Sequence, residues 1–92
     1  MKNVYVIGVF DLFHFGHVEL LRRAKELGDR LIVAINGDEM VASYKRRPFL
    51  SEQDRLEVVK ACRYVDDAFI IHGYDNKEYI KKYDISFLKK RH

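Results

Sequence analysis

Short apolar runs alternate with an amphipathic stretch at the start of the chain. Residues 4–7 and 31–35 are continuous apolar runs, which are typical of strands covered on both faces of a parallel sheet. Between them, residues 15–27 carry apolar side chains at helical spacing. A strand, a helix and a strand of these lengths predict a right-handed βαβ unit. Its ligand crevice should lie beyond the carboxyl ends of the strands.

The pattern continues with weaker elements. Residues 38–47 predict a short helix or loop, and Ser51 can cap a helix over 52–62. The sequence then predicts a strand within 65–71, a short basic helix at 77–82 and a fourth strand from residue 85. We therefore expect one α/β domain over residues 1–92, a Rossmann-like three-layer α/β/α arrangement around a parallel sheet.

The turn between the first strand and the first helix carries two histidines; it reads Gly8-Val9-Phe10-Asp11-Leu12-Phe13-His14-Phe15-Gly16-His17. His14 and His17 are three residues apart, on one face of the first helical turn. Helix N–H groups and the positive end of the helix dipole attract anions there, and imidazoles add donors. The turn predicts a phosphate site. One alternative is a structural role, because a histidine at a helix start is commonly a surface or capping residue. The other is half of a zinc site, but no nearby cluster of Cys, His or carboxylates completes a tetrahedron, so we expect no metal ligands.

Four further residues are expected to shape this region. Gly8 should let the backbone turn, and Asp11 should form the turn and cap the helix. Gly16 should leave room for a ligand beside the backbone. Gly28 should end the first helix as a C-terminal cap.

Composition narrows the function classes. The net charge is +3, which suits an anionic small molecule, and no arginine-rich helix or basic aromatic stripe suggests nucleic acid as a partner. No apolar run is long enough for a membrane span, and the first residues lack the features of a secretory signal. The single cysteine, Cys62, should pack in the core, and we expect a reduced, cytoplasmic setting.

Two segments resemble a known family. Residues 8–17 resemble the HxGH signature of the nucleotidyltransferase superfamily in its cytidylyltransferase branch, and Arg63-Tyr64-Val65-Asp66-Asp67 resembles a second motif of that branch. The likeness covers residues 2 to about 87 and is greatest to bacterial glycerol-3-phosphate cytidylyltransferases. It implies transfer of CMP from CTP to a small phosphorylated alcohol, with release of pyrophosphate. Relatives with the same histidine turn use ATP, so adenylyl transfer remains an alternative.

The resemblance also implies roles at the nucleotide. His14 and His17 would donate to the triphosphate and stabilise the transition state, while Val9 and Phe10 would present backbone groups to the nucleotide. Arg63 would contact CTP, with Asp66 fixing the local geometry. Mg²⁺ would accompany CTP, held mainly by the phosphates.

A basic loop is the candidate for binding the acceptor. Lys45, Arg46 and Arg47 are expected to meet either the acceptor phosphate or the phosphates of CTP. Arg46 stands where the family's loop has a lysine, and the resemblance implies a catalytic role for it. Tyr44 replaces another lysine of that loop. Lys77 matches a substrate-side lysine of the glycerol phosphate branch. Arg55 is expected on the helix surface or in an ion pair.

The resemblance ends near residue 87. The family continues with a Gly-Asp-Asp segment and a late "RTxGISTT" motif, and neither is present in these 92 residues. We therefore expect a domain that is truncated near the fourth strand, and an exposed sheet edge that favours a homodimer. The alternative to an enzyme is a catalytically impaired remnant that still binds a nucleotide.

Overall fold

The computed structural model describes residues 2–73 and the backbone of residues 85–90. The elements, in chain order, are β1 (Asn3–Gly8), α1 (Phe15–Lys25), β2 (Arg30–Asn36), α2 (Asp38–Ala42), α3 (Glu52–Lys60), β3 (Asp67–Ile71) and β4 (Ile85–Lys90). Each agrees with a predicted element to within a few residues at its ends. The helix predicted at 77–82, and Lys77 with it, lies outside the described residues.

The four strands form one parallel sheet in the order β3-β2-β1-β4. β1 lies in the middle, with Val4 opposite Leu31 and Ile7 opposite Ala34 on β2. The predicted α/β class with a parallel sheet is confirmed. Because parallel strands end at the same edge, the turns that follow β1, β2 and β3 meet there.

Both faces of the central strands are buried. One face packs against α1 and α3 through Leu21, Ala24, Leu56 and Val59, and Cys62 packs at its margin as expected. On the other face Tyr5 and Ile32 are also fully buried, which is what the continuous apolar runs predicted. None of the helices within the described ranges is long and apolar enough to span a bilayer.

The glycines shape the chain differently from the prediction. Gly8 ends β1, and the left-handed backbone falls instead on Phe10, at φ 55°, and Leu12, at φ 49°. At Gly28 an added Cβ would lie 2.7 Å from the Lys2 carbonyl oxygen. The start of the chain therefore passes too close for a side chain at Gly28, whose φ is not positive. The residue that caps α1 at its C-terminus is Glu26, not Gly28.

Candidate functional site

The two histidines cap the N-terminus of α1. The Gly16 N–H donates to His14 Nδ1 at 2.9 Å, and the His14 N–H donates to His17 Nδ1 at 3.0 Å. These reciprocal bonds form a capping box built from imidazoles, with His14 as the N-cap. One expectation is corrected here: Asp11 does not cap the helix, because His14 is its N-cap.

The capping box also determines where each ring carries its proton. A ring nitrogen that accepts a hydrogen bond carries no proton, so the neutral form of each ring bears its proton on Nε2. The ring centroids of His14 and His17 are 4.2 Å apart. The His14 ring is exposed, and the His17 ring is half-buried. Both imidazoles line one cavity, and the His14 ring carries its N–H donor at an exposed edge, which suits an anionic ligand.

Neighbouring residues hold the rings in place. Phe13 stacks on the His17 ring at 5.3 Å, with 13° between the planes, and Phe10 packs against it at 5.7 Å. A Cβ added at Gly16 would lie 2.7 Å from His14 Cε1. The glycine therefore accommodates the His14 ring, whereas we expected it to leave room for a ligand.

A cavity of about 190 Å³ opens beside these rings at the carboxyl end of β1. We call it the histidine cavity, and its lining residues are Gly8, Val9, Phe10, His14, Gly16, His17 and Leu20. The structure thus brings together four of the predicted nucleotide-site residues: Val9, Phe10, His14 and His17. Backbone groups and imidazole edges contribute to the same small space, which a phosphate chain could enter.

A second cavity, of about 170 Å³, lies on the other side of Val9. Its walls are Val9, Asp11, Val41 and the segment that contains Lys45, Arg46, Arg47, Pro48 and Phe49. We call residues 45–50 the basic loop and this space the loop cavity. Arg46 lies over the Phe49 ring at 4.4 Å, and Arg47 pairs with Glu39. The three predicted phosphate ligands therefore share one exposed wall, with Arg47 already in an ion pair.

Asp11 anchors the basic loop. Its carboxylate accepts the Phe49 N–H at 2.8 Å and the Leu50 N–H at 3.0 Å, besides the N–H of Leu12 at 3.1 Å. Partial burial raises the pKa of the Asp11 carboxyl, but the three N–H groups and the Arg55 charge together lower it below its usual range. The carboxylate is therefore ionised at neutral pH.

Arg55 is fully buried and not on the helix surface, but the alternative prediction for it, an ion pair, is confirmed. Its guanidinium donates to the carbonyls of Val9 at 2.9 Å, Asn36 at 2.7 Å and Leu50 at 3.1 Å, and pairs with Asp38 at 2.6 Å. It thereby joins the carboxyl ends of β1 and β2.

One sequence signal could have placed Arg55 inside. Arg55 lies four residues before the buried Val59, and residues four apart share a helix face. Its buried position therefore followed from the helical periodicity. The prediction placed Arg55 at the surface because its side chain is charged, although charged side chains are also buried when they are paired.

The second motif plays a structural part at Asp66. Asp66 accepts the Leu31 N–H at 2.6 Å and pairs with Lys25, so that it joins α1 to β2. Arg63 is exposed and donates to the Tyr64 hydroxyl at 2.9 Å. It is not among the residues that line the histidine cavity. The structure therefore does not bring Arg63 to the histidines.

Comparison with known proteins shows the family of this chain. A family model described as cytidylyltransferase-like matches residues 5–91. The chain belongs to the cytidylyltransferase-like family. A solved member of the fold, described as a lipopolysaccharide core biosynthesis protein from Thermoplasma volcanium, superposes with a TM-score of 0.89 at 30% identity. The match covers 96% of this chain and 72% of that one.

Three curated relatives indicate the range of this family. The chain is 44% identical over 90 residues to ethanolamine-phosphate cytidylyltransferase of Arabidopsis thaliana and 40% identical over 86 residues to glycerol-3-phosphate cytidylyltransferase of Staphylococcus aureus. It is 56% identical over 69 residues to FAD synthase of Pyrococcus horikoshii. The matches cover 95%, 92% and 74% of this chain, but 21%, 65% and 47% of those proteins. The chain thus spans less than two-thirds of each.

Proposed function

We propose that this chain carries the nucleotide-binding part of a nucleotidyltransferase that moves CMP from CTP to a small phosphomonoester, such as glycerol 3-phosphate. The observation that carries this proposal is that the imidazoles of His14 and His17 both line the histidine cavity. Membership of a family whose relatives include two cytidylyltransferases supports it. The match of residues 63–67 to the cytidylyltransferase motif favours CTP.

The reaction joins two anions. A phosphate oxygen of the acceptor attacks the α-phosphorus of CTP; the bond from that phosphorus to the bridging β-phosphate oxygen breaks, and pyrophosphate leaves. Negative charge on the phosphoryl oxygens and the leaving group must be stabilised, which preorganised donors do well. In this proposal, His14 and His17 donate to the triphosphate. Lys45 and Arg46 attract the acceptor phosphate, and Arg46 also stabilises the transferred group.

Magnesium enters as the counter-ion of the triphosphate. Within the described residues no three His, Cys, Asp or Glu side chains are grouped to hold a metal ion. Mg²⁺ commonly keeps its waters and binds mainly through substrate phosphates in such sites. Those phosphates are the ligands that the proposal assigns to it, and Asp11 is already used by the basic loop.

The test is pyrophosphate release from CTP with glycerol 3-phosphate or phosphoethanolamine as acceptor. His17→Ala and His14→Ala should each lower kcat by about 100-fold or more, because each removes one preorganised donor. His72→Ala is the matched control, since His72 is an exposed histidine that follows β3 and does not line the histidine cavity. Turnover that survives both alanine variants would contradict the proposal. Nucleotide binding without turnover would identify a non-catalytic binding domain.

Adenylyl transfer is the second candidate. The 56% identity to an FAD synthase favours it, because FAD contains an adenylyl group joined through phosphate to a flavin mononucleotide. The same assay with ATP and flavin mononucleotide decides between the two. Faster turnover of the ATP pair would replace CTP with ATP in the proposal.

We also propose that the protein is a homodimer. In the described sheet β3 and β4 are the outermost strands, and unpaired strand edges favour association with another chain. Sedimentation equilibrium should give twice the mass of one chain at micromolar concentration. A single-chain mass throughout would contradict the dimer.

A further inference from the structure

The histidine cavity and the loop cavity share one backbone wall. Val9 lines both, Phe10 faces the histidine side, and Asp11 faces the loop side. Under the proposed function, the first cavity takes the nucleotide and the second takes the acceptor phosphate. Residues 9–11 therefore separate the two reactants, and the placement of this segment sets how they face each other.

Asp11 fixes the basic loop to this wall from the outside. Its two carboxylate oxygens each accept one loop N–H, from Leu50 and from Phe49, at 3.0 and 2.8 Å. Hydrogen bonds from N–H groups to an ionised carboxylate are stronger than neutral ones. The lysine and arginines of the loop are exposed and are carried by the backbone that Asp11 holds.

Arg55 fixes the same two segments from the inside. Its guanidinium donates to the Val9 carbonyl at 2.9 Å and to the Leu50 carbonyl at 3.1 Å. Asp11 and Arg55 thus connect the wall to the loop through separate pairs of hydrogen bonds. A buried, fully bonded guanidinium allows little displacement of either segment.

The wall itself has an unfavourable backbone. Phe10 is 4% exposed and has φ 55°, and Leu12 has φ 49°. Residues with a Cβ avoid this left-handed region, so such a conformation persists only where the surroundings enforce it. Asp11 stands between these two residues.

We infer that Asp11 is a positioning residue that holds the basic loop against residues 9–11, so that the acceptor phosphate is presented to a nucleotide in the histidine cavity. The inference rests on the proposed function for the identity of the two ligands. It assigns Asp11 to acceptor binding and not to nucleotide binding. Removing its bonds should therefore weaken the acceptor site selectively.

The test is an NMR titration of the ¹⁵N-labelled full chain with two probes. The first is glycerol 3-phosphate, and the second is CTP with Mg²⁺. ATP with Mg²⁺ replaces CTP if CTP does not bind. Asp11→Asn leaves one acceptor oxygen for two N–H groups, so the Kd for glycerol 3-phosphate, read from the amides of residues 45–50, should rise about tenfold. The nucleotide Kd, read from residues 8–17, should stay near the wild-type value. Glu57→Gln makes the same carboxylate-to-amide change on an exposed face of α3 and should alter neither.

A second pair of variants breaks one anchoring bond from the loop side. Phe49→Pro and Phe49→Ala both lose the ring that packs on Arg46, but only proline also loses the N–H that Asp11 accepts. The proline variant should bind glycerol 3-phosphate more weakly than the alanine variant. This comparison keeps the inference testable if Asp11→Asn does not fold.

The outcomes separate this inference from the proposed function. Equal acceptor binding in the proline and alanine variants, an equal loss of both ligands in Asp11→Asn, or no glycerol 3-phosphate response at residues 45–50 in the wild type would overturn the inference. Wild-type protein that binds neither CTP nor ATP would instead contradict the proposed function. The phosphate titration still reports on Asp11 in that case.

Discussion

Arg55 shows how much of the site depends on one side chain. It is fully buried, and its donors reach carbonyls on segments that approach the site from β1, β2 and the basic loop. Asp38 pairs with the guanidinium directly, and the Asp11 carboxylate also interacts with its charge. Removing one partner of a buried ion pair is costly, because the other partner and the bonded carbonyls lose their contacts.

Arg55→Met should therefore lower the free energy of unfolding by about 3 kcal/mol, measured by urea denaturation. Arg23→Met is the matched control. The Arg23 side chain is 73% exposed and pairs with Glu19 only at 3.9 Å, so its loss should change stability by about 0.5 kcal/mol or less. Equal changes in the free energy of unfolding for the two substitutions would show that the buried hydrogen bonds of Arg55 do not stabilise the fold.

Comparison of these residues shows which side-chain placements the sequence could predict. His14 and His17 were predicted beside one another because local helical spacing fixes their separation, and the structure places both at one cavity. Asp11 was predicted to form the turn and cap the helix, which are local roles, but two of its three N–H partners are 38 and 39 residues away. No local pattern encodes such long-range bonds, which depend on how the loop returns to β1.

At the scale of elements, α1 begins with a cap that is also part of the candidate site. The rings that accept backbone N–H groups are those that line the histidine cavity, so helix capping and ligand binding depend on the same geometry. A substitution at Gly16 tests helix capping and ligand binding together. A Cβ there would lie 2.7 Å from the His14 ring, which would have to move.

Gly16→Ala should displace the His14 ring and break its bond to the backbone. Loss of a cap costs about 1 kcal/mol of stability, offset in part by the better helix propensity of alanine. Nucleotide affinity, measured by calorimetric titration, should fall markedly. Stability, measured by thermal unfolding, should change little. Gly73→Ala is the control, since nothing lies within 4 Å of an added Cβ there. Unchanged nucleotide affinity in Gly16→Ala would show that the position of the His14 ring does not matter for nucleotide binding.

The elements themselves were well predicted from the apolar pattern. Helical and strand periods locate β1, α1, β2 and α3, because burial selects apolar residues at those intervals. Local backbone was harder to predict. Gly8 was expected to let the backbone turn, but the residues with a left-handed backbone in this turn are Phe10 and Leu12, which no local preference indicates.

At the scale of the whole molecule, Asp66 joins α1, β2 and the segment before β3. Partial burial raises the pKa of its carboxyl, but the Lys25 ammonium and the Leu31 N–H outweigh this, so the pKa lies below its usual 3.8. A carboxyl whose pKa is depressed by folding stabilises the fold above its unfolded pKa. That contribution is lost as the pH falls through the lower, folded value.

The free energy of unfolding should therefore fall with acid partly through Asp66. Between about pH 5 and about pH 2, wild-type protein should lose more stability than Asp66→Asn, which is already less stable at pH 7. Urea denaturation at a series of pH values measures this, with Glu57→Gln as the exposed control. Parallel curves for wild type and Asp66→Asn would show that the Lys25–Asp66 contact does not stabilise the fold.

The most direct test of the central claim is the protonation state of the two imidazoles, with and without nucleotide. For the neutral imidazole form, long-range ¹H–¹⁵N spectra of the free protein should show His14 and His17 as the tautomer with its proton on Nε2, because each Nδ1 accepts a backbone N–H. Addition of CTP or ATP with Mg²⁺ should shift both Nε2 signals. A proton on Nδ1, or Nε2 signals that stay unchanged while the nucleotide binds, would contradict the account.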